Sequence, residues 1–238
     1  MAQFNHQKTY LPQVRRSYSR IGQIIQSIIA RHVTSDGRID DLQRLNDDLS
    51  AYGVYLRQWA NDFWGQLLER QQKALTKDWK KNGLDIDPRS PRVQAAIARA
   101  KAEQVELITT LPRKAAEQAQ LMAQKAALST GERAETLKAK LQGLEPGYPE
   151  YAARRLARSE IASTQSLLVT AQALDAGSEA YVWRTVGDAD VRESHKRLDG
   201  KIFRFDDMSD KDGDGCVMPG GIYNCRCYAE PLFTKLIK

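Results

Sequence analysis

The sequence contains no uninterrupted run of about 18 apolar residues, so no membrane-spanning helix is expected. The N-terminal stretch also lacks the apolar core of a secretory signal. Cysteine occurs only three times in 238 residues, and an odd number of cysteines does not suit a framework of disulfides. We therefore predict a protein that folds in a reducing cytosol and has no membrane partner.

Signatures of common catalytic sites are missing as well. There is no G-x-S-x-G turn for a serine nucleophile. Zinc deaminases need H-x-E and C-x-x-C, whereas here His195 is followed by Lys196 and Arg197, and the paired cysteines are spaced as C-x-C. We therefore predict a non-enzymatic protein that has no small-molecule substrate.

Positive charge is in excess, but only in the first part of the chain. The net charge is +6. Residues 1–147 contain 23 Lys and Arg against 16 Asp and Glu, whereas residues 148–238 contain 13 against 14. A basic region of this kind suits contact with nucleic acid or with an acidic protein. A well-solvated helical surface has the same composition, so both interpretations stay open.

Apolar periodicity predicts long helices in the basic region. Spacings of three and four predict amphipathic helices over residues 13–33 and 39–81. Residues 91–129 are rich in helix formers, although Pro112 should kink or split that helix. The second helix has a nearly heptad stripe that should pack along a partner helix; it consists of Leu42, Leu45, Leu49, Tyr52, Leu56, Trp59, Phe63 and Leu67.

The remaining sequence predicts a different architecture. A helix is expected over residues 149–176, and alternation predicts strands over 180–186, 201–205 and 226–233. The block 143–151 carries two Gly and two Pro and is the best domain boundary. The predicted class is α+β. An elongated helical region over residues 1–147 leads into a domain over 148–238 that has one long helix and a small antiparallel sheet.

The most unusual residues lie between Trp183 and Cys227, a stretch that holds all three cysteines and six of the fifteen glycines. The stretch reads as a tryptophan, D-x-x-V-R-x-x-H-x-x-L-D-G, then P-G, then C-R-C. These positions are Trp183, Asp188, Val191, Arg192, His195, Leu198, Asp199, Gly200, Pro219, Gly220, Cys225, Arg226 and Cys227. The ordered set resembles the phage head morphogenesis family, the Mu F-like minor head proteins. Arg158-Ser159-Glu160 is similar to an R-T/S-E element that precedes this motif in the family, although the Asn that commonly follows there is missing here.

The resemblance implies a structural protein of a tailed phage or prophage. It would be a minor capsid protein that acts in capsid assembly, in a few copies inside the procapsid near the portal. The implied partners are the portal protein, other capsid components and non-specifically bound duplex DNA. The implied location is the virion interior, after assembly in the host cytoplasm.

The C-x-C pair points to a metal site. On a strand, residues i and i+2 face the same side, so Cys225 and Cys227 can share one ion. A tetrahedral zinc site needs four ligands. His195 is the third candidate, and Cys216 or Asp188 is the fourth. The alternative is a pair of small buried cysteines with His195 capping a turn or bonded to the backbone.

Two further interpretations stay open. A metal-dependent hydrolase or nuclease could use His195 and the C-terminal cysteines. Residues 210–215 read D-K-D-G-D-G, the first half of a calcium loop, but Gly221 stands where an EF-hand requires Glu. A flexible acidic surface loop is the simpler interpretation of this segment.

Overall fold

The structure is a computed structural model that describes residues 6–34, 38–128 and 150–233. Four long helices come first, followed by three short strands and one short helix. In chain order they are α1 (Gln7–Arg31), α2 (Leu42–Lys81), α3 (Pro91–Leu128), α4 (Glu150–Asp175), β1 (Ala180–Thr185), α5 (Glu193–Lys196), β2 (Ile202–Arg204) and β3 (Cys227–Leu232). The predicted α+β class is confirmed. Within these ranges, no helix is both long enough and apolar enough to cross a membrane.

Local sequence signals explain where α2 ends and α3 begins. Gly83 has φ of 76°, a left-handed conformation that closes α2 without steric cost. Ser90 caps α3, because its Oγ accepts a hydrogen bond from the N–H of Val93 at 3.3 Å, and Pro91 occupies the first helical position. Pro112 lies inside α3, which continues through it to Leu128. The helix is therefore not split at Pro112.

The buried face of α2 departs from the predicted heptad stripe in its second half. Leu45, Leu49, Leu56 and Leu67 are buried as predicted. Between Leu56 and Leu67, Ala60 and Trp64 are fully buried, whereas Trp59 and Phe63 are only half-buried and stack on each other. A straight helix drifts by about 20° per heptad relative to a fixed seven-residue repeat. Over 40 residues that drift moves the buried face to neighbouring positions.

The chain divides into two compact units, each assembled from separate segments. One unit consists of Arg15–Phe63 and Glu103–Ala153, and the other consists of Met1–Val14, Trp64–Ala102 and Arg154–Lys238. We call the first the helical unit and the second the mixed unit. The predicted boundary at 143–151 falls largely on residues 143–149, which lie outside the described residues. The division into 1–147 and 148–238 stays a prediction.

The sheet of the mixed unit has the order β2-β1-β3, and both pairings are antiparallel. β1 is therefore the central strand, and its Tyr181 and Trp183 are fully buried. Thr185 of β1 pairs with Cys227 at the start of β3. The chain between β2 and β3 contains the acidic loop, the P-G step and Cys225. This topology brings the motif residues to one end of the central strand.

Candidate metal centre

Three cysteines and one histidine meet inside the mixed unit. Cys216, Cys225, Cys227 and His195 are each no more than 1 % exposed. They come from separate segments, because His195 lies on α5, Cys216 and Cys225 lie between β2 and β3, and Cys227 begins β3. We call these four side chains the cysteine centre. The four residues that sequence reasoning named together are thus neighbours in space.

His195 has a different partner on each ring nitrogen. Its Nδ1 lies 3.2 Å from Cys227 Sγ and 3.6 Å from Cys225 Sγ. Its Nε2 lies 2.8 Å from Asp212 Oδ2. Because a carboxylate only accepts, Nε2 carries the proton that it donates to Asp212. Nδ1 therefore faces the two sulfur atoms.

Asp212 is the residue of this centre that sequence reasoning missed. Its side chain is fully buried. Oδ1 accepts the backbone N–H groups of Asp214 and Cys216 at 2.9 and 3.0 Å, which leaves Oδ2 for His195. Burial opposes ionisation of this carboxyl, but those N–H groups and His195 outweigh it and lower its pKa to about 2. Asp212 is thus an ionised group that fixes the ring of His195.

The acidic loop is organised by its own hydrogen bonds. Asp210 Oδ1 accepts the N–H groups of Asp212 and Gly213, and its Oδ2 accepts the N–H of Gly215, at 3.0 to 3.1 Å. The carboxylate oxygens of Asp210 and Asp212 therefore accept hydrogen bonds from backbone N–H groups and from His195. These bonds give the loop a defined backbone conformation. Its result is to turn Asp212 and Cys216 inward.

Cys225 reaches the centre from a turn and not from a strand. β3 begins only at Cys227, so the same-face argument for the C-x-C pair does not apply. Instead, Asn224 adopts φ of 56° and Cys225 donates its N–H to Ile222 O at 3.1 Å, which closes a tight turn. The N–H of Gly220 points to Cys225 Sγ at 3.3 Å. The turn thus aims Cys225 between the other two cysteines.

The three thiols differ in their readiness to ionise. Hydrogen bonds from Cys216 and Cys227, with His195 adding to them, hold the pKa of Cys225 far below its ordinary value. The pKa values of Cys216 and Cys227 are raised, first by their hydrogen bonds to Cys225 and then by burial. The pKa of His195 is raised above its ordinary value, chiefly by Cys225. Cys225 is therefore the thiol of the three that ionises most readily.

Asp188 does not join the cysteine centre. Its carboxylate contacts the guanidinium of Arg226, which also lies 3.1 Å from Asp190. Among the described residues, the groups that could hold a metal are His195 with Cys225 and Cys227, and His195 with Asp212 and Cys216. Asp188, which was predicted as an alternative fourth ligand, is in neither group.

The motif arginines meet the turn before Cys225. Arg158 Nη1 donates to Asn224 Oδ1 at 3.1 Å, and Arg192 Nη2 donates to Tyr223 O at 2.8 Å. The neighbouring Ser159 accepts the N–H of Asn224 at 2.7 Å. These contacts form one hydrogen-bond set. Its common target is the backbone turn that carries Cys225.

The P-G step packs closely against α4. Gly220 has φ of 88°, and a Cβ at this position would lie 2.8 Å from the carbonyl oxygen of Ala162. A methyl group does not fit at that distance. Gly200, in contrast, has positive φ but nothing within 4 Å of a Cβ. Gly220 is therefore required for backbone geometry and for packing, and Gly200 for backbone geometry alone.

Comparison with known proteins matches the motif region to a family. Residues 118–230 match the family described as Phage Mu protein F like protein. The match confirms the resemblance to phage head morphogenesis proteins. It begins within α3, well before the stretch that carries the motif.

Part of the chain is similar to an uncharacterized protein of Haemophilus influenzae. The two are 32 % identical over 81 residues, which are 34 % of this chain and 17 % of that protein. The aligned region thus spans less than a fifth of that relative. No solved structure matches this chain.

Proposed function

We propose that this chain is a minor head protein that acts in capsid assembly of a tailed phage or prophage. The family match of residues 118–230 is the observation that carries the proposal. Its partners are the portal protein and other capsid components. It works inside the capsid, after assembly in the host cytoplasm.

Burial of the cysteine centre supports a structural role over the hydrolase alternative. Cys227, His195 and Asp212 follow one another as a nucleophile, a base and an orienting acid would. A nucleophile must also reach its substrate, yet Cys227 and His195 are at most 1 % exposed. The small cavity beside Cys227 has a volume of only about 10 Å³. We therefore give these residues a role in the fold.

The portal contact is assigned to a cleft of the helical unit. This cleft of about 410 Å³ is bounded by α2 and α3 and is lined by Leu49, Val54 and Pro112, with Arg57 and Arg113 at its rim. Val54 is 73 % exposed, and the adjacent Tyr55 is 61 % exposed. Exposed apolar and aromatic side chains beside arginines are typical of a protein–protein contact.

Co-assembly tests this proposal. The chain is expressed with its cognate portal, scaffold and major capsid proteins, and purified procapsids are assayed for it. We expect Val54→Ser with Tyr55→Ser to reduce incorporation at least several-fold. Ile202→Ser, an equally exposed apolar residue on β2, should leave incorporation unchanged. Absence of the wild-type chain from procapsids would contradict the proposal.

Contact with duplex DNA is the second part of the proposal. Arg16, Arg20 and Arg57 are exposed on helices whose apolar faces are buried. Residues 1–147 should bind DNA without base specificity, with micromolar or weaker affinity at about 0.1 M salt, and the affinity should fall steeply as salt is added. A portal complex based on apolar contacts should persist at high salt.

Two double variants, each of which removes two positive charges, test which unit of the chain binds DNA. Arg16→Gln with Arg20→Gln should weaken DNA binding of the full chain. Arg197→Gln with Lys201→Gln removes the same charge from the mixed unit and should have a smaller effect. Fluorescence anisotropy across a salt series measures both. No detectable binding at about 50 mM salt would remove DNA from the proposal.

A further inference from the structure

We propose that Cys216, Cys225, Cys227 and His195 bind one Zn²⁺ as a closed structural site, with Asp212 fixing the orientation of His195. The site holds four protein side chains of the types that structural zinc prefers. It is independent of the role in capsid assembly, so either proposal can fail without the other.

Interatomic distances suit a shared ion. Zinc lies about 2.3 Å from cysteine sulfur and about 2.0–2.1 Å from histidine nitrogen, so tetrahedral ligands of these two types lie about 3.5 Å apart. Nδ1 of His195 is 3.2 and 3.6 Å from the sulfurs of Cys227 and Cys225. Cys216 is the fourth candidate ligand, because its sulfur lies within 4.8 Å of a ring nitrogen of His195 and interacts with Cys225.

The groups around these ligands are those that a metal site needs. A metal-bound histidine usually donates its other N–H to a carboxylate, as His195 does to Asp212. The backbone N–H of Gly220 already points to Cys225 Sγ. The indole N–H of Trp183 is buried and interacts with Cys227, and the ring packs on His195 with 5.4 Å between centroids. A metal-bound Cys227 thiolate would be a stronger acceptor for that N–H.

Complete burial decides between a structural and a catalytic ion. Catalytic zinc has three protein ligands and an open position for water. Here a fourth protein ligand is present, and none of the four is more than 1 % exposed. The ion would instead connect α5, the acidic loop, the turn at Asn224 and β3. Zinc binding would then contribute to the folding free energy of the mixed unit.

Metal content of the full chain is the first test. The protein is expressed with added zinc and purified without a histidine tag or chelator, and elemental analysis should find about one zinc per chain. Cys225→Ser with Cys227→Ser should reduce the zinc content at least ten-fold. Chelation should lower the Tm of the wild-type chain, and added zinc should restore it. Zinc retained by the double variant would overturn the assignment.

Asp212 has its own matched test. Asp212→Asn should weaken zinc affinity about 10- to 100-fold while saturating zinc still fills one site. Asp214→Asn changes an exposed carboxyl of the same loop and should leave affinity unchanged. Equal effects of the two variants would overturn the positioning role of Asp212.

A spectroscopic test avoids variants that fail to fold. Co²⁺ added to metal-free wild-type protein should give the intense visible absorption of a tetrahedral thiolate site, and Zn²⁺ should displace it. Absence of this absorption would overturn the proposal. So would a wild-type protein that contains no metal and has the same Tm with and without zinc, or a native disulfide between any two of the three cysteines.

Discussion

Two buried histidines lie in opposite surroundings. His32, after α1, is 5 % exposed, and its ring lies 3.0 Å from Asp48 and 3.4 Å from Asp40, two carboxylates whose side chains are about half exposed. His195 lies against buried sulfur atoms and a carboxylate with no exposure. Water can replace the partners of His32, but it cannot reach those of His195. His32 therefore makes weak, solvent-exposed ion pairs in the helical unit. His195 makes buried contacts in the cysteine centre of the mixed unit, and their loss would leave its partners unpaired.

The two sites should differ most in the free energy of unfolding that is lost when each histidine is replaced. His195→Gln leaves the carboxylate of Asp212 buried without its partner, and breaking such a buried pair costs about 3–5 kcal/mol. His32→Gln should cost much less, because its carboxylates remain hydrated. Urea unfolding at neutral pH measures both. Similar losses for the two variants would remove the distinction drawn between these sites.

Gly220 offers the next largest effect. Gly220→Ala places a methyl group 2.8 Å from the carbonyl oxygen of Ala162, at φ of 88°. Left-handed backbone costs a non-glycine residue about 1–2 kcal/mol, and overpacking adds about 1–3 kcal/mol. Gly213→Ala is the control, because φ is 86° and nothing lies within 4 Å. It should show only the backbone cost.

Arg158 tests how far the centre depends on its turn. Arg158→Lys removes the hydrogen bond to Asn224 Oδ1 and should destabilise the protein by about 1–2 kcal/mol. Arg154→Lys changes an exposed arginine one turn earlier and should be near neutral. Hydrogen exchange should report the loss at residues 219–227 and not near His32. Loosening near His32 instead would show that the effect is not local.

The smallest effect concerns acid pH. A hydrogen bond from His32 lowers the pKa of Asp48, so this interaction stabilises the fold above the unfolded carboxyl pKa of about 3.9. The contribution is lost as pH falls through the lower pKa of the folded state. His32→Gln should therefore flatten the decline in unfolding free energy below about pH 4. If the unfolding free energy of the variant declined with pH as steeply as that of the wild type, this hydrogen bond would contribute little to stability.

Sequence reasoning found the four long helices and the strands, but not α5, because the signals of the former are local. Periodicity located α1, α2 and α4, and alternation located all three strands within a few residues. It failed where the outcome depended on backbone turns. Asp212 looked like one of several acids in a glycine-rich loop, and its inward direction follows from the hydrogen bonds that Asp210 makes to the loop backbone. Cys225 was grouped correctly, but for a strand geometry that it does not have.

The segmented make-up of the mixed unit has a consequence for how the protein forms on the ribosome. Chains emerge from the N-terminus at about 5–20 residues per second. Gln7 donates its side-chain N–H to the carbonyl of Cys227 at 3.3 Å, across 220 positions of the chain. At that speed Gln7 waits roughly 10–45 seconds after its own synthesis before its partner exists. The helical unit uses only residues 15–63 and 103–153, so its parts are all made earlier. Nascent chains arrested near residue 190 should therefore protect the α2 segment around Leu49 from proteolysis while leaving the start of α1 open to cleavage.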